Sequence, residues 1–137
     1  MKLLTSCRHA LSCAVDLQGA PYPPRRARHA VQELLARAWG CSTEPERVET
    51  ALLVVSELVT NACRHTPGPL EMRVSWDTPF LTIEVDDLSQ MVPTVTPAAS
   101  CGAHGGYGLH LIDELAVHRS TEISPQGKTV QVILRTD

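Results

Sequence analysis

The spacing of apolar side chains along this chain changes several times, and each change marks a different element. Residues 11–17 read as a short edge strand, after which Pro21, Pro23 and Pro24 interrupt the chain. Pro24 suits a first helical turn, where no intrahelical N–H is needed. Between 25 and 39 the apolar positions Ala27, Ala30, Val31, Leu34, Leu35 and Ala38 fall at helical spacing, and Gly40 follows, where helix C-termini favour glycine. Thr43-Glu44-Pro45-Glu46 then has the form of a capping box with proline in the first turn. The helix it opens carries the clearest stripe, with Val48, Ala51, Leu52, Val55, Leu58, Val59 and Ala62 following the i, i+3, i+4, i+7 rule. Thr66-Pro67-Gly68-Pro69 ends it.

From Leu70 the period drops to two. Leu70, Met72, Val74 and Trp76 alternate with Glu71, Arg73, Ser75 and Asp77, and after Thr78-Pro79 a second run places Leu81, Ile83 and Val85 on one side. The pair predicts an antiparallel hairpin with one buried face. Residues 88–106 show no period and are rich in glycine, proline and small residues, as in loops that carry function. A helix over about 109–118 follows, and strands over 119–124 and 128–135 flank Pro125-Gln126-Gly127. The order β-α-α-β-β-loop-α-β-β predicts an α+β, two-layer sandwich, with helices on one face of a mixed, mostly antiparallel sheet.

Composition narrows the classes of function. The chain has 137 residues, the size of one domain, with 12 Lys+Arg against 15 Asp+Glu. A mildly acidic chain with only 4% aromatic residues lacks both the basic patch and the stacking platforms of a nucleic-acid binder. No apolar run reaches the roughly 18 residues of a membrane span, and residues 1–20 lack the unbroken apolar core of a secretory signal. The cysteines (Cys7, Cys13, Cys41, Cys63, Cys101) are odd in number and form no CxxC, which fits a reducing, cytoplasmic setting.

Three places offer chemistry. Glu57 and Asn61 stand four apart on the long helix and share a face, so a proton-accepting carboxylate lies one turn from a hard oxygen ligand suited to Mg²⁺. The alternative is a chance pair on a solvated face. Gly102-Ala103-His104-Gly105-Gly106-Tyr107-Gly108 precedes a helix, where backbone N–H groups can approach an anion; a hinge is the other reading. Asp86-Asp87 closes the second hairpin strand, where a carboxylate either accepts from an amino group or ends the strand in a turn. Cys101, His104 and His110 offer no fourth ligand for a structural zinc, and Cys63 reads as a small buried hydrophobe. Arg25, Arg26 and Arg28 form a basic stretch on the first helix, either solvated or facing an acidic partner.

Taken in order, these segments resemble the Bergerat ATP-binding fold of histidine-kinase-like (GHKL) ATPases, and in particular the bacterial anti-sigma-factor serine/threonine kinases and related stand-alone regulators. Residues 56–65, Ser-Glu-Leu-Val-Thr-Asn-Ala-Cys-Arg-His, look like their N box; Val85-Asp86-Asp87-Leu88-Ser89 sits where the adenine-binding Asp is expected; Gly105-Gly106-Tyr107-Gly108-Leu109 resembles the G2 box, and Gly127-Lys128-Thr129-Val130 the closing strand motif. The resemblance spans roughly residues 24–134 and implies an ATPase domain over 21–137, preceded by an N-terminal segment, 1–20. It implies ATP and Mg²⁺ as cofactors, with Glu57 as general base and Asn61 as the Mg²⁺ ligand. Asp87 would accept from the adenine amino group with support from Thr129, Gly106 and Gly108 would cradle phosphates, and Arg64 would reach one. A sigma factor or an anti-sigma-factor antagonist is the implied partner, and homodimerisation is usual among such relatives. Two departures stand out. The G1 box, Asp-x-Gly-x-Gly in the family, reads Asp87-Leu88-Ser89-Gln90-Met91, and Tyr107 occupies a position that often carries a basic residue. The alternative implied function is a binding module of the same fold with weak or no nucleotide turnover.

Overall fold

The computed structural model describes residues 11–39, 45–64, 68–90 and 107–136. Its elements follow the expected order: β1 (Leu11–Asp16), α1 (Pro23–Trp39), α2 (Pro45–Arg64), β2 (Pro69–Asp77), β3 (Phe80–Asp87), α3 (Tyr107–Leu115), β4 (His118–Ser124) and β5 (Gly127–Arg135). The strands form one sheet in the order β1-β2-β3-β5-β4. Every pairing among them is antiparallel, so the mixed sheet of the sequence reading is uniform among the described residues. Gly40, Thr43 and Glu44 of the capping box, Thr66 and Pro67 of the stop, and residues 91–106 with Cys101, His104 and Gly106 lie outside the described residues.

The period-two runs explain the layering. Met72, Val74 and Trp76 of β2, Leu81, Ile83 and Val85 of β3, and Val130, Val132 and Leu134 of β5 point to one side and are buried. Against them lie Ala27, Val31, Leu34 and Leu35 of α1 and the α2 stripe Ala51, Val54, Val55, Leu58, Val59 and Ala62. Each Val, Leu, Ile or Met among them, fully buried, contributes about 1.5–3 kcal/mol relative to exposure. α2 is therefore held by its apolar stripe, which leaves its polar face available for chemistry. The nine-residue α3 is too short to persist alone, and Ile112, wholly buried, and Leu109 tie it to the core.

Three local readings are corrected. α3 ends at Leu115 rather than near His118: the Ala116 N–H closes the last helical bond to Ile112 O (2.8 Å), and the Val117 N–H donates instead to Ile133 O (2.8 Å), where the sheet ladder takes over. Cys63 is exposed, because Ala62 holds the inward position and the next residue is turned about 100° around the helix. The basic stretch of α1 is partly used within the fold, since Arg26 Nε donates to Asp16 O (2.8 Å) and Arg28 Nη1 to Ser56 Oγ (3.2 Å). Cys13, on the inner side of β1, is a free thiol whose pKa burial pushes up, against a smaller lowering by Arg37.

The other face of the sheet has no helix on it among the described residues and is polar. Arg73 stands at its centre, donating to Glu71 Oε1 (2.8 Å), Glu84 Oε1 (3.2 Å) and both oxygens of Asp86 (2.6 and 2.8 Å). These bonds hold the Arg73 guanidinium above its usual pKa range, and the Arg73 bonds, with a smaller one from Thr129, keep Asp86 below the usual carboxylate range. No helix among the described residues is long and apolar enough to cross a membrane.

Candidate functional site

The polar face of α2 carries Glu57, Asn61 and Arg64 on successive turns. Glu57 and Asn61 are half-buried, whereas Arg64, in the last turn, is exposed. Arg64 Nη1 donates to Asn61 Oδ1 (3.3 Å), a spacing of three residues that places the two side chains over one another. The other end of the same carboxamide, Asn61 Nδ2, is buried with no hydrogen-bond partner among the described residues. A buried amide group without a partner costs about 1–3 kcal/mol, so Asn61 Nδ2 is a donor still to be satisfied from outside the described residues.

The second part of the site lies at the end of β3 and is decided by the pleat. Leu81, Ile83, Val85 and Asp87 point to the helix-covered side, and Asp86 points to the open face. Register places Asp87 opposite Lys128 of β5 and Asp86 opposite Thr129. The consequence is a buried ion pair: Lys128 Nζ donates to Asp87 Oδ1 (3.0 Å) and lies 2.9 Å from Oδ2, with both side chains only 2% exposed. Asp87 Oδ1 also accepts from the Ser89 N–H (2.7 Å), the i to i+2 bond by which an aspartate closes its own turn. Lys128 Nζ further reaches Ser89 O (3.4 Å).

Thr129 therefore does not support Asp87. Its hydroxyl donates to Asp86 Oδ1 (2.6 Å) on the opposite face, as strand alternation requires. The residue that does bear on Asp87 is Lys128, which the sequence reading passed over as the middle of a motif. A signal was present: Lys128 has the same parity as Val130, Val132 and Leu134, and Asp87 the same parity as Leu81, Ile83 and Val85. Opposite charges on the apolar parity of two neighbouring strands call for one another.

Gly127 fixes how closely these segments meet. Its φ of +154° suits glycine, and a Cβ there would strike the Asp87 carbonyl oxygen and lie 2.8 Å from Leu88 Cα. Beyond the turn, Gln90 Nε2 donates to Ser124 O (2.6 Å), so the strap leaving β3 is tied to the β4–β5 hairpin at two points, Asp87 and Gln90. Gly108 falls in the first turn of α3, and His110 follows on the same helix. No group of three or more His, Cys, Asp or Glu side chains fit to hold a metal occurs among the described residues.

Comparison with known proteins agrees with this geometry. The model of the histidine kinase-like ATPase domain matches residues 20–134. A chain from Mycobacterium tuberculosis that contains RsbU and RsbW domains shares the fold at 16% identity and TM-score 0.63, with 92% of this chain and 32% of that one covered. A chain of the SiaB–SiaC complex from Pseudomonas aeruginosa shares it at 11% identity and TM-score 0.57, with 93% and 90% covered. The present chain thus spans about a third of the mycobacterial chain that it matches. A search of curated protein sequences found no match. With the family model covering nearly the whole described fold, the chain belongs to the histidine kinase-like ATPase domain family.

Proposed function

We propose that this chain is an ATP-binding regulator of the anti-sigma-factor type, which transfers the γ-phosphoryl group of ATP to a serine or threonine of an antagonist protein. The observation that carries the reading is the polar face of α2, where a Glu57 carboxylate stands one turn from a buried Asn61 amide end that has no partner among the described residues. In the transfer, the acceptor hydroxyl oxygen forms a bond to the γ-phosphorus as the bond to the ADP oxygen breaks, and the hydroxyl proton passes to Glu57. Such reactions rest on positioning and charge neutralisation, which a few groups can supply.

Asn61 would hold Mg²⁺ through its carboxamide oxygen, a hard donor that now accepts from Arg64, while its unpartnered Nδ2 suits a phosphate oxygen; the ion usually takes one or two protein ligands plus waters and phosphate oxygens. When bound, the ion would neutralise charge on the phosphates. Arg64, already against Asn61, would supply a second positive charge at the same place. Gly108 would offer its backbone N–H in the first turn of α3, and Gly106, outside the described residues, would join it in holding phosphate. Asp87 would take the adenine amino group. A protein partner is supported by the second structural relative, which was solved as a complex of SiaB with SiaC.

The test uses labelled ATP, Mg²⁺ and candidate antagonist proteins. Glu57→Ala should retain nucleotide and lose phosphoryl transfer by roughly 10²–10⁴-fold, the usual contribution of a general base. A second reading, a partner-binding module with weak or no turnover, is favoured by the Asp87–Lys128 pair, which occupies the carboxylate meant for the base. Absence of ATP binding by calorimetry at millimolar nucleotide would leave that second reading standing and remove the first.

A further inference from the structure

Among the ionisable side chains of the described residues, Asp87 and Lys128 are the buried ones, and the reaction proposed above uses only Asp87. Lys128 needs its own account. Its ammonium donates to Asp87 Oδ1 and Ser89 O and lies 2.9 Å from Asp87 Oδ2, so it is engaged with the turn. Asp87 Oδ1 in turn accepts from both Lys128 and the Ser89 N–H, and Oδ2 faces the same ammonium. The carboxylate is 2% exposed, and its partners among the described residues are the Lys128 ammonium and the Ser89 N–H.

We propose that Lys128 is a specificity-determining residue that competes with the base of the nucleotide for Asp87, so that this chain binds adenine nucleotides with little preference for the adenine amino group. The inference rests on the reading that the chain binds ATP. A base that carries an exocyclic amino group gains a bond to Asp87 only by displacing the ammonium, whereas a base without that group leaves the ion pair intact. The two binding modes therefore converge in affinity. In the absence of Lys128 the same carboxylate is buried without a counter-charge, and an amino donor that reaches it removes that penalty. The discrimination withheld in the native chain then appears. Gly127 and the Gln90–Ser124 bond hold the strap in place around the pair, which keeps the competition a local one between two donors.

The experiment measures ADP and purine riboside 5′-diphosphate, which lacks the amino group, by calorimetry with Mg²⁺ on the native chain, Lys128→Met and Lys128→Arg. The native chain and Lys128→Arg, which keeps the cation, should separate the two ligands by less than about tenfold, the ratio that corresponds to 1.4 kcal/mol. Lys128→Met should bind ADP at least about tenfold more tightly than the native chain, with the analogue unchanged, because only the amino group gains. A merely structural lysine would lower thermal stability on removal and would not raise affinity for one ligand of the pair. A preference for ADP above tenfold in the native chain overturns the inference, and this arm needs no variant to fold. A folded Lys128→Met that gains nothing overturns it as well. If neither the native chain nor Lys128→Met binds either ligand, the ATP-binding reading falls and the inference falls with it; binding without the predicted pattern removes the inference alone.

Discussion

Replacing Arg73 with methionine removes the cation that three carboxylates share on the open face of the sheet. The magnitude follows from exposure. Arg73 is 36% exposed and Asp86 26%, so the pair lies between a surface ion pair, at about 0.2–1 kcal/mol, and a buried charged bond, at about 1.5–3 kcal/mol. The bidentate contact to Asp86 and the crowding of Glu71 and Glu84 left behind place the loss near 2 kcal/mol at neutral pH. Its pH dependence has a definite sign. The folded-state pKa of Asp86 is depressed, first by its bonds to Arg73, so the contribution is present above the ordinary aspartate value of about 3.9 and disappears as pH falls through the lower folded value. Urea unfolding followed by circular dichroism at pH 7 and near pH 3 should therefore show a smaller penalty for Arg73→Met in acid. An equal penalty at both values would mean that the lost aliphatic packing of Arg73, not its charge, holds this face together, and the electrostatic account would be wrong.

Other perturbations test the core and the site. Lys128→Met alone should cost about 3–5 kcal/mol in urea unfolding, whereas Lys128→Met with Asp87→Asn should recover most of the loss, since removal of both charges leaves no uncompensated ion; additive single effects would contradict a direct pair. Gly127→Ala should destabilise by more than the roughly 1 kcal/mol expected of an ordinary backbone change, because the new Cβ strikes the Asp87 carbonyl. Hydrogen exchange in that variant should rise at Asp87–Ser89 and the β4–β5 turn before it rises in α1. Ile112→Ala should cost about 2–5 kcal/mol and loosen α3 first, which proteolysis between α3 and β4 would detect.

The architecture was legible because its elements are strongly periodic. The α2 stripe and the β2–β3 alternation left little choice of element or of buried face, although α2 also buries Val54, outside the stripe as read, and only partly buries Val48 and Leu52. The end of α3 was not legible, because Ala116 and Val117 suit helix or strand, and the outcome rests on the distant acceptor Ile133 O. The site was legible in part. Glu57 and Asn61 share a face by spacing alone, but the unpartnered Asn61 Nδ2 depends on what surrounds α2. The partner of Asp87 is a matter of register across 41 positions, which the motif Gly127-Lys128-Thr129 does not express. A motif names residues in order; the pleat assigns Lys128 and Thr129 to opposite faces of the sheet.

The sheet order carries a consequence for how this chain can vary. β3 and β5 are neighbours at its middle, although β4 and α3 come between them in sequence. The whole excursion between them therefore leaves and returns at a single locked doorway, framed by Asp87 and Leu88 on one side and Gly127 and Lys128 on the other. Lengthening such an excursion is thermodynamically cheap, at about 0.6 kcal/mol for each doubling of a flexible loop. Segments grafted between Gln90 and α3 should be tolerated by the sheet, while single substitutions at the doorway should not. The four residues at that threshold, Asp87, Leu88, Gly127 and Lys128, are where this fold tolerates least change.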